Sequence, residues 1–233
     1  MSDKTGKVDP ILAAIAARAL EFVDDGALVG LGSGRAATAF IRALGQRYRH
    51  GLQVRGVPTS EGSASVAREY GIPLVGMDEA EDIAVTVDGA DEVDPQLDLI
   101  KGYGAALLRE RIVAEASRME IILVGEEKLV PRLGTRGIVP VEVVPFAAGF
   151  CSRRLAALGG RPQVRMKDDK PLVTDNGNII IDCGVEPLAD PRRFDTDVRG
   201  IPGVVGTGLF LGIASLVLVG TATGMRELTR TTK

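Results

Sequence analysis

The sequence is poor in the residues that build metal centres, disulfide frameworks and histidine-based catalytic sites. Its 233 residues include two cysteines and one histidine. Cys151 and Cys183 have no metal-type spacing to His50, which argues against a zinc site, and we interpret both as free thiols of a cytosolic protein. A single histidine also argues against a Ser-His-Asp triad, so any acid–base chemistry falls to carboxylates and lysines.

Long apolar runs and long basic runs are missing as well. No stretch approaches the ~20 apolar residues of a membrane-spanning helix, and the N-terminus lacks the apolar run of a signal peptide. We therefore expect a cytoplasmic protein without a membrane partner. The net charge of −3 and the absence of a basic run disfavour nucleic acid as a partner. A small anion remains compatible with this charge, because a few local donors suffice to hold it.

Apolar strand-like segments alternate with helix-like segments over the first two-thirds of the chain. The pattern predicts strands at residues 27–31, 52–57, 83–87 and 120–124, and helices at residues 11–23, 36–44, 60–70 and 105–118. This alternation is typical of an α/β fold, with a Rossmann-like, mostly parallel sheet between helices. Residues 216–220 have the composition of a further buried strand that returns to this sheet.

The chain changes character after about residue 139. Strand-like pieces at 163–166, 172–174 and 179–182 are separated by turn signals, and Asn176-Gly177 is a strong hairpin signal. We therefore predict a catalytic domain formed by residues 1–137 and about 207–233, and a smaller α+β domain formed by about 138–206.

The first candidate site is the glycine-rich turn at residues 30–37, between a predicted strand and a predicted helix. Backbone amides at a helix N-terminus bind phosphate well, although a tight turn without a ligand would have the same composition. Gly32-x-Gly34-x-x-Ala37 also fits a loose dinucleotide fingerprint. That fold places an acid at the end of the second strand, where this chain has Pro58-Thr59-Ser60, with Glu61 only after the turn.

The second candidate is the acidic segment at residues 88–94, where four carboxylates follow an apolar strand. Ligands of open α/β sheets bind at the carboxyl ends of the strands, and crowded carboxylates raise one another's pKa toward a useful range. A solvated acidic turn is the plain alternative. The spacing does not fit an EF-hand, and it leaves a Mg²⁺ role open.

The third candidate is residues 101–110, where a lysine and a flexible loop open onto a helix. Lys101 and the loop amides can stabilise an oxyanion. Glu110 lies on a stripe of small and apolar residues, which suits a general base, although a helical glutamate paired with an arginine is the plainer interpretation. Lys128 follows another strand and can hold a phosphate, or it is a surface lysine.

Taken together, seven segments resemble the ribose-5-phosphate isomerase A family over most of the chain. Two carry the resemblance most strongly, Asp88-Gly-Ala-Asp-Glu92 and Lys101-Gly-Tyr-Gly-Ala-Ala-Leu-Leu-Arg-Glu110. The supporting segments occur in the same order and spacing: Gly30–Gly34, Val57–Ser60, Val141–Pro145, Thr174–Asn178 and Ile201–Val205.

The resemblance implies interconversion of ribose 5-phosphate and ribulose 5-phosphate without a metal or organic cofactor. It also implies a ferredoxin-like smaller domain and a homodimer or homotetramer. By position, Glu110 would be the base, Asp88 and Lys101 would assist at the oxygens, and Asp91 would open or orient the sugar. The implied substrate-binding residues are Ser33, Gly34, Arg35, Ala36, Gly89, Ala90, Gly102, Tyr103, Gly104 and Lys128.

Three departures from the family pattern concern substrate preference. The family commonly has Ser-Thr at Arg35-Ala36 and glycine at Tyr103, and some members have a lysine near Leu12 and Ala13. We expect Arg35 to replace the lost hydroxyls with a charge-assisted bond to phosphate, and Tyr103 either to narrow the site or to turn outward. The alternatives are an isomerase of another sugar phosphate, a sugar-phosphate-binding regulator and a nicotinamide-dependent oxidoreductase.

Overall fold

The computed structural model describes residues 9–230. Residues 1–8 and 231–233, which belong to the predicted catalytic domain and include the N-terminus searched for a signal peptide, lie outside this description. Within residues 9–230, no helix combines the length and the apolar character needed to cross a membrane.

The chain forms six α-helices and fifteen strands within the described residues. The helices are α1 (Pro10–Ala19), α2 (Gly34–Arg49), α3 (Glu61–Tyr70), α4 (Leu107–Glu115), α5 (Ala148–Ala157) and α6 (Pro191–Arg199). The strands are β1 (Leu28–Leu31), β2 (Arg55–Pro58), β3 (Ile83–Gly89), β4 (Glu92–Val93), β5 (Leu99–Ile100), β6 (Glu120–Gly125), β7 (Ile138–Val143), β8 (Arg161–Val164), β9 (Met166–Lys167), β10 (Lys170–Pro171), β11 (Ile179–Gly184), β12 (Val204–Thr207), β13 (Leu209–Phe210), β14 (Leu216–Thr221) and β15 (Gly224–Thr229).

The largest sheet has six strands in the order β15-β14-β6-β3-β1-β2. All neighbours pair in parallel except β15, which pairs antiparallel with β14. The predicted mostly parallel sheet is therefore confirmed, and so is the return of residues 216–220, which lie in β14 beside β6. The inner strands are apolar on both faces because both faces are covered.

Successive residues of β6 show the two covered faces, since side chains alternate along a strand. Ile121 and Leu123 pack into a core with α1, α2 and α3. Ile122 and Val124 pack on the opposite face, against Leu107 of α4 and a small sheet of β4, β5 and β13. The sheet is thus the middle layer of the domain, and α4 is fixed on one side of it.

The second unit is a four-stranded antiparallel sheet in the order β12-β7-β11-β8, with α5 after β7 and α6 after β11. A βαββαβ chain path with this strand order is the ferredoxin-like arrangement. Its own apolar core includes Val141, Leu155 and Ile181. The proposed domain bounds stay a prediction. The apolar clusters also meet, since Ile180 of β11 packs with Ile122 and Val124 of β6.

Several predicted element bounds are wrong. The strand predicted at 172–174 is a single bridge between Val173 and Ile179, and the strand predicted at 163–166 is divided between β8 and β9 at Arg165. The helix predicted from residue 105 begins at Leu107, because Ala105 has a φ of 61°, outside the helical region. The three strands of the small sheet, β4, β5 and β13, and the edge strand β15 were not predicted.

Candidate active site

The three candidate segments meet at the carboxyl ends of β1, β3 and β6. A cavity of about 180 Å³ lies there, as expected for an open α/β sheet. Twelve of the fourteen proposed site residues line it, namely Ser33, Gly34, Arg35, Ala36, Gly89, Ala90, Asp91, Lys101, Gly102, Gly104, Glu110 and Lys128. The two that do not are Asp88, which is buried behind the wall, and Tyr103.

Lys101 lies between two buried carboxylates. Its Nζ is 3.0 Å from Asp88 Oδ2 and 3.4 Å from Glu110 Oε2, and all three side chains are at most 6 % exposed. The Asp88 contact is an ion pair whose angles do not suit a hydrogen bond. Lys101 Nζ instead donates to the Gly89 carbonyl at 2.5 Å. The cation is therefore fixed at one edge of the cavity, with a carboxylate on either side.

Glu110 has the properties of a general base. It lies near the start of α4, and burial raises the pKa of its carboxyl, an effect that Lys101 opposes and Asp88 reinforces, to about 8. Oε2 has no hydrogen-bond partner within residues 9–230. A carboxylate whose pKa lies near the working pH is a more effective proton acceptor than an ordinary surface glutamate.

Lys101 stays cationic despite its burial. Burial alone would lower the pKa of the ammonium group, but the negative charges of Asp88, Glu110 and Glu120 outweigh this effect and raise it. An ammonium ion held rigidly out of water stabilises negative charge that develops beside it.

The glycine loop forms the opposite wall of the cavity. Asp88 Oδ1 accepts hydrogen bonds from the amides of Ser33 at 2.9 Å and Gly89 at 2.7 Å. A Cβ on Gly32 would lie 2.3 Å from Asp88 Cγ, so this approach requires glycine. The acidic segment and the glycine loop, which are 55 residues apart in sequence, are thus held together by one carboxylate.

The N-terminus of α2 offers unpaired donors to this cavity. Its N-cap, Ser33, makes no side-chain capping bond, because Ser33 Oγ lies 2.8 Å from both Thr59 Oγ1 and Ser60 Oγ. The first amides of a helix then remain available to an anion. Arg35, in this first turn, is exposed and lines the cavity. Sequence reasoning did not assign roles to Thr59 or Ser60.

Asp91 links the acidic segment to the lysine loop. Its Oδ2 accepts from the amide of Tyr103 at 3.0 Å, and its Oδ1 is 3.9 Å from Lys128 Nζ. Tyr103 does not line the cavity, and the residue is 38 % exposed. Of the two orientations considered for Tyr103, the structure shows the outward one.

Glu120 was not identified from the sequence. It begins β6 opposite Thr86 of β3, is 2 % exposed, and neither of its carboxyl oxygens has a hydrogen-bond partner within residues 9–230. Burial, and then the charge of Asp88, raise the pKa of this carboxyl well above its usual value. The only signal in the sequence is a glutamate at the start of an apolar strand.

An enzyme that moves protons on a small anion needs a base with a raised pKa, a fixed cation and hydrogen-bond donors for the anion. This cavity brings all three together. Fold and site are therefore those of an α/β protein equipped for acid–base chemistry on a small anion. Comparison with known proteins refines this class. The model of the family Ribose 5-phosphate isomerase A (phosphoriboisomerase A) matches residues 55–224.

Individual relatives match over nearly the whole chain. Ribose-5-phosphate isomerase A of Roseiflexus sp. (strain RS-1) is 47 % identical over 216 residues, which cover 91 % of this chain and 93 % of the relative. The structure of ribose 5-phosphate isomerase A from Methanocaldococcus jannaschii has a TM-score of 0.90 at 41 % identity, covering 94 % of this chain and 98 % of that one.

A further solved structure, a D-ribose-5-phosphate isomerase in complex with phospho-erythronic acid, has a TM-score of 0.93 at 40 % identity and covers 96 % of this chain and all of its own. This chain belongs to the ribose-5-phosphate isomerase A family, and it is an isomerase. The resemblance inferred from the sequence motifs is confirmed. Membership of this family argues against the two alternative functions, a sugar-phosphate-binding regulator and a nicotinamide-dependent oxidoreductase.

Proposed function

We propose that the protein interconverts ribose 5-phosphate and ribulose 5-phosphate, with Glu110 carrying a proton between C2 and C1 through an enediolate. The observation that carries this proposal is the buried Glu110 carboxyl beside Lys101 in the cavity. Family membership supports the substrate. Support also comes from the related structure that holds phospho-erythronic acid, since a phosphorylated sugar acid has a carboxylate where an enediolate would carry its charge.

The reaction needs a base on carbon and stabilisation of charge on oxygen. Glu110 removes the proton from C2 of the open-chain aldose, and the electrons move into the C1–C2 bond and onto O1. Lys101 and the loop amides stabilise this oxyanion. Glu110 then returns the proton to C1 while a proton passes from O2 to O1, and Asp88 assists this transfer through its ion pair with Lys101. Asp91 opens or orients the sugar. Because the reaction only moves protons and electron pairs within the sugar, it requires no oxidant, nucleophile, metal or organic cofactor.

The phosphate lies at the N-terminus of α2 in this proposal. The amides of residues 34–36 donate to it there, and Arg35 and Lys128, which line the same cavity, add positive charge. A charge-assisted arginine bond would substitute for side-chain hydroxyls at Arg35-Ala36. Because of this pair, another pentose or tetrose phosphate is the second substrate to test. We further propose a cytoplasmic homodimer or homotetramer.

The proposal is tested by turnover of purified protein on ribose 5-phosphate, with EDTA present, beside Glu110→Gln. Removing the base should lower kcat by about 10²–10⁴-fold, with secondary structure unchanged. Glu115→Gln is the matched control, since Glu115 lies on the same helix with its side chain 58 % exposed, and it should keep wild-type turnover.

Each other outcome has a definite meaning. Turnover that survives Glu110→Gln would keep the substrate and refute Glu110 as the base. Turnover abolished by EDTA and restored by a divalent metal would refute the metal-free mechanism. Wild-type protein without turnover on ribose 5-phosphate would refute the substrate and direct the assay to other aldose phosphates.

A further inference from the structure

Arg165 connects the ferredoxin-like sheet to the loop that carries Lys101. It lies between β8 and β9, where its guanidinium pairs with Asp182 of β11: Nε is 2.9 Å from Oδ2, and Nη2 is 2.5 Å from Oδ1. The remaining nitrogen, Nη1, donates to the carbonyls of Gly102 at 2.8 Å and Tyr103 at 3.0 Å. One side chain thus links the four-stranded sheet to the loop, and Asp182 fixes the plane of its guanidinium.

These two contacts help to fix where two amides point, together with the Ala105 N–H, which also donates to the Gly102 carbonyl at 3.0 Å. Within the described residues every peptide bond is trans, so the C=O and N–H of each peptide unit point in opposite directions. Since Arg165 holds the Gly102 carbonyl, the Tyr103 N–H of the same unit points away from it, and this N–H donates to Asp91 Oδ2 at 3.0 Å. Since Arg165 also holds the Tyr103 carbonyl, the Gly104 N–H points away from the guanidinium, and Gly104 lines the active-site cavity.

The loop needs such a restraint. Ala105 has a φ of 61°, in the left-handed region that disfavours a residue with a Cβ. The segment also contains two glycines, 102 and 104, which have many alternative conformations once the carbonyls are released. The observed loop conformation is therefore maintained by its contacts more than by its sequence.

We propose that Arg165 is a positioning residue of the isomerase: through the carbonyls of the loop it holds Asp91 and the Gly104 amide toward the substrate. Arg165 does not line the cavity and touches no reacting atom. This inference deepens the proposed function and rests on it. A lysine cannot replace the arginine, because an ammonium group lacks the planar fork that serves Asp182 and two carbonyls at once.

The test compares Arg165→Lys and Arg165→Ala with wild type on ribose 5-phosphate. Displacement of the loop by about 1 Å should lower kcat roughly 10²-fold while KM changes little, because the α2 amides and Arg35 proposed to hold the phosphate lie on the opposite wall. Guanidinium at millimolar concentration should restore part of the kcat of Arg165→Ala and none of that of Glu110→Gln. Arg161→Ala is the matched control, since Arg161 begins β8, just before Arg165 in the chain, and its side chain is 63 % exposed.

A measurement without substrate separates this inference from the proposed function. Hydrogen–deuterium exchange of residues 101–106 should become faster in Arg165→Lys and stay unchanged in Arg161→Ala. Unchanged exchange, or faster exchange with wild-type kcat, would overturn the positioning role. If the wild-type protein does not turn over, the proposed function fails, and the exchange data still decide whether Arg165 holds the loop.

Discussion

The pH dependence of turnover is the sharpest test of the electrostatics around Glu110. The base must be ionised to accept a proton, and burial of Glu110 raises the pKa of its carboxyl to about 8. Only about 1 % of the enzyme would then hold an ionised base at pH 6, and about half at pH 8. We therefore expect kcat/KM to rise roughly 50-fold between these two pH values.

Two substitutions should move this rise in opposite directions. Lys101 lowers the pKa of Glu110 and Asp88 raises it, so Lys101→Met should shift the midpoint to higher pH and Asp88→Asn to lower pH. Both variants will turn over slowly, because both residues belong to the site, but the midpoint can be measured independently of the rate. The assay is kcat/KM from pH 5.5 to 9.5 at constant ionic strength.

The substrate contributes its own titration, and this must be separated from that of the base. The second ionisation of a phosphate monoester has a pKa of about 6, well below the midpoint expected for the enzyme. The kcat profile, which reports the enzyme–substrate complex, gives a second measurement. A profile that is flat above pH 6, or a midpoint that neither substitution moves, would refute the assignment of a raised pKa to Glu110.

Two further predictions concern Arg35 and Glu120. Arg35→Ala should raise KM about 10-fold or more, since a hydrogen bond to a charged group contributes about 1.5–3 kcal/mol, and leave kcat nearly unchanged; an unchanged KM would remove Arg35 from phosphate binding. Glu120 has a pKa raised in the folded state, mainly by burial, so it takes up a proton on folding and stability is lost as pH rises above the ordinary glutamate pKa. Urea unfolding of Glu120→Gln should thus show a larger gain at pH 8 than at pH 5, and an equal gain at both would contradict this sign.

Much of the fold could be predicted because burial leaves a clear pattern in sequence. β1, β3, β6 and β14 are buried on both faces and appear as continuous apolar runs. The edge strand β15 is almost entirely exposed, so no periodic apolar signal marks it. The start of α4 was misplaced for a different reason, since the positive φ of Ala105 depends on contacts of the loop and not on helix propensity.

The candidate site could be predicted where its chemistry lies in continuous segments. Asp88, Lys101 and Glu110 each follow a recognisable strand end or helix start, and parallel strands bring such ends to one edge. Tyr103 and Arg165 could not be placed in this way. The outward turn of Tyr103 accompanies the capture of loop carbonyls by an arginine more than 60 residues away, and nothing local to either residue indicates that contact.

Glu120 shows why the strength of the base is a property of the folded cluster. The pairing of β3 with β6 places Glu120 opposite Thr86, two residues before Asp88 on the same face. Three buried carboxyl groups, those of Asp88, Glu110 and Glu120, then act on the buried cation Lys101. Burial makes ionisation of Glu110 and Glu120 costly, so the pKa values of these two carboxyl groups are raised. Because that balance depends on strand register, titration of Glu110 measures the assembled site and not the motif in which Glu110 occurs.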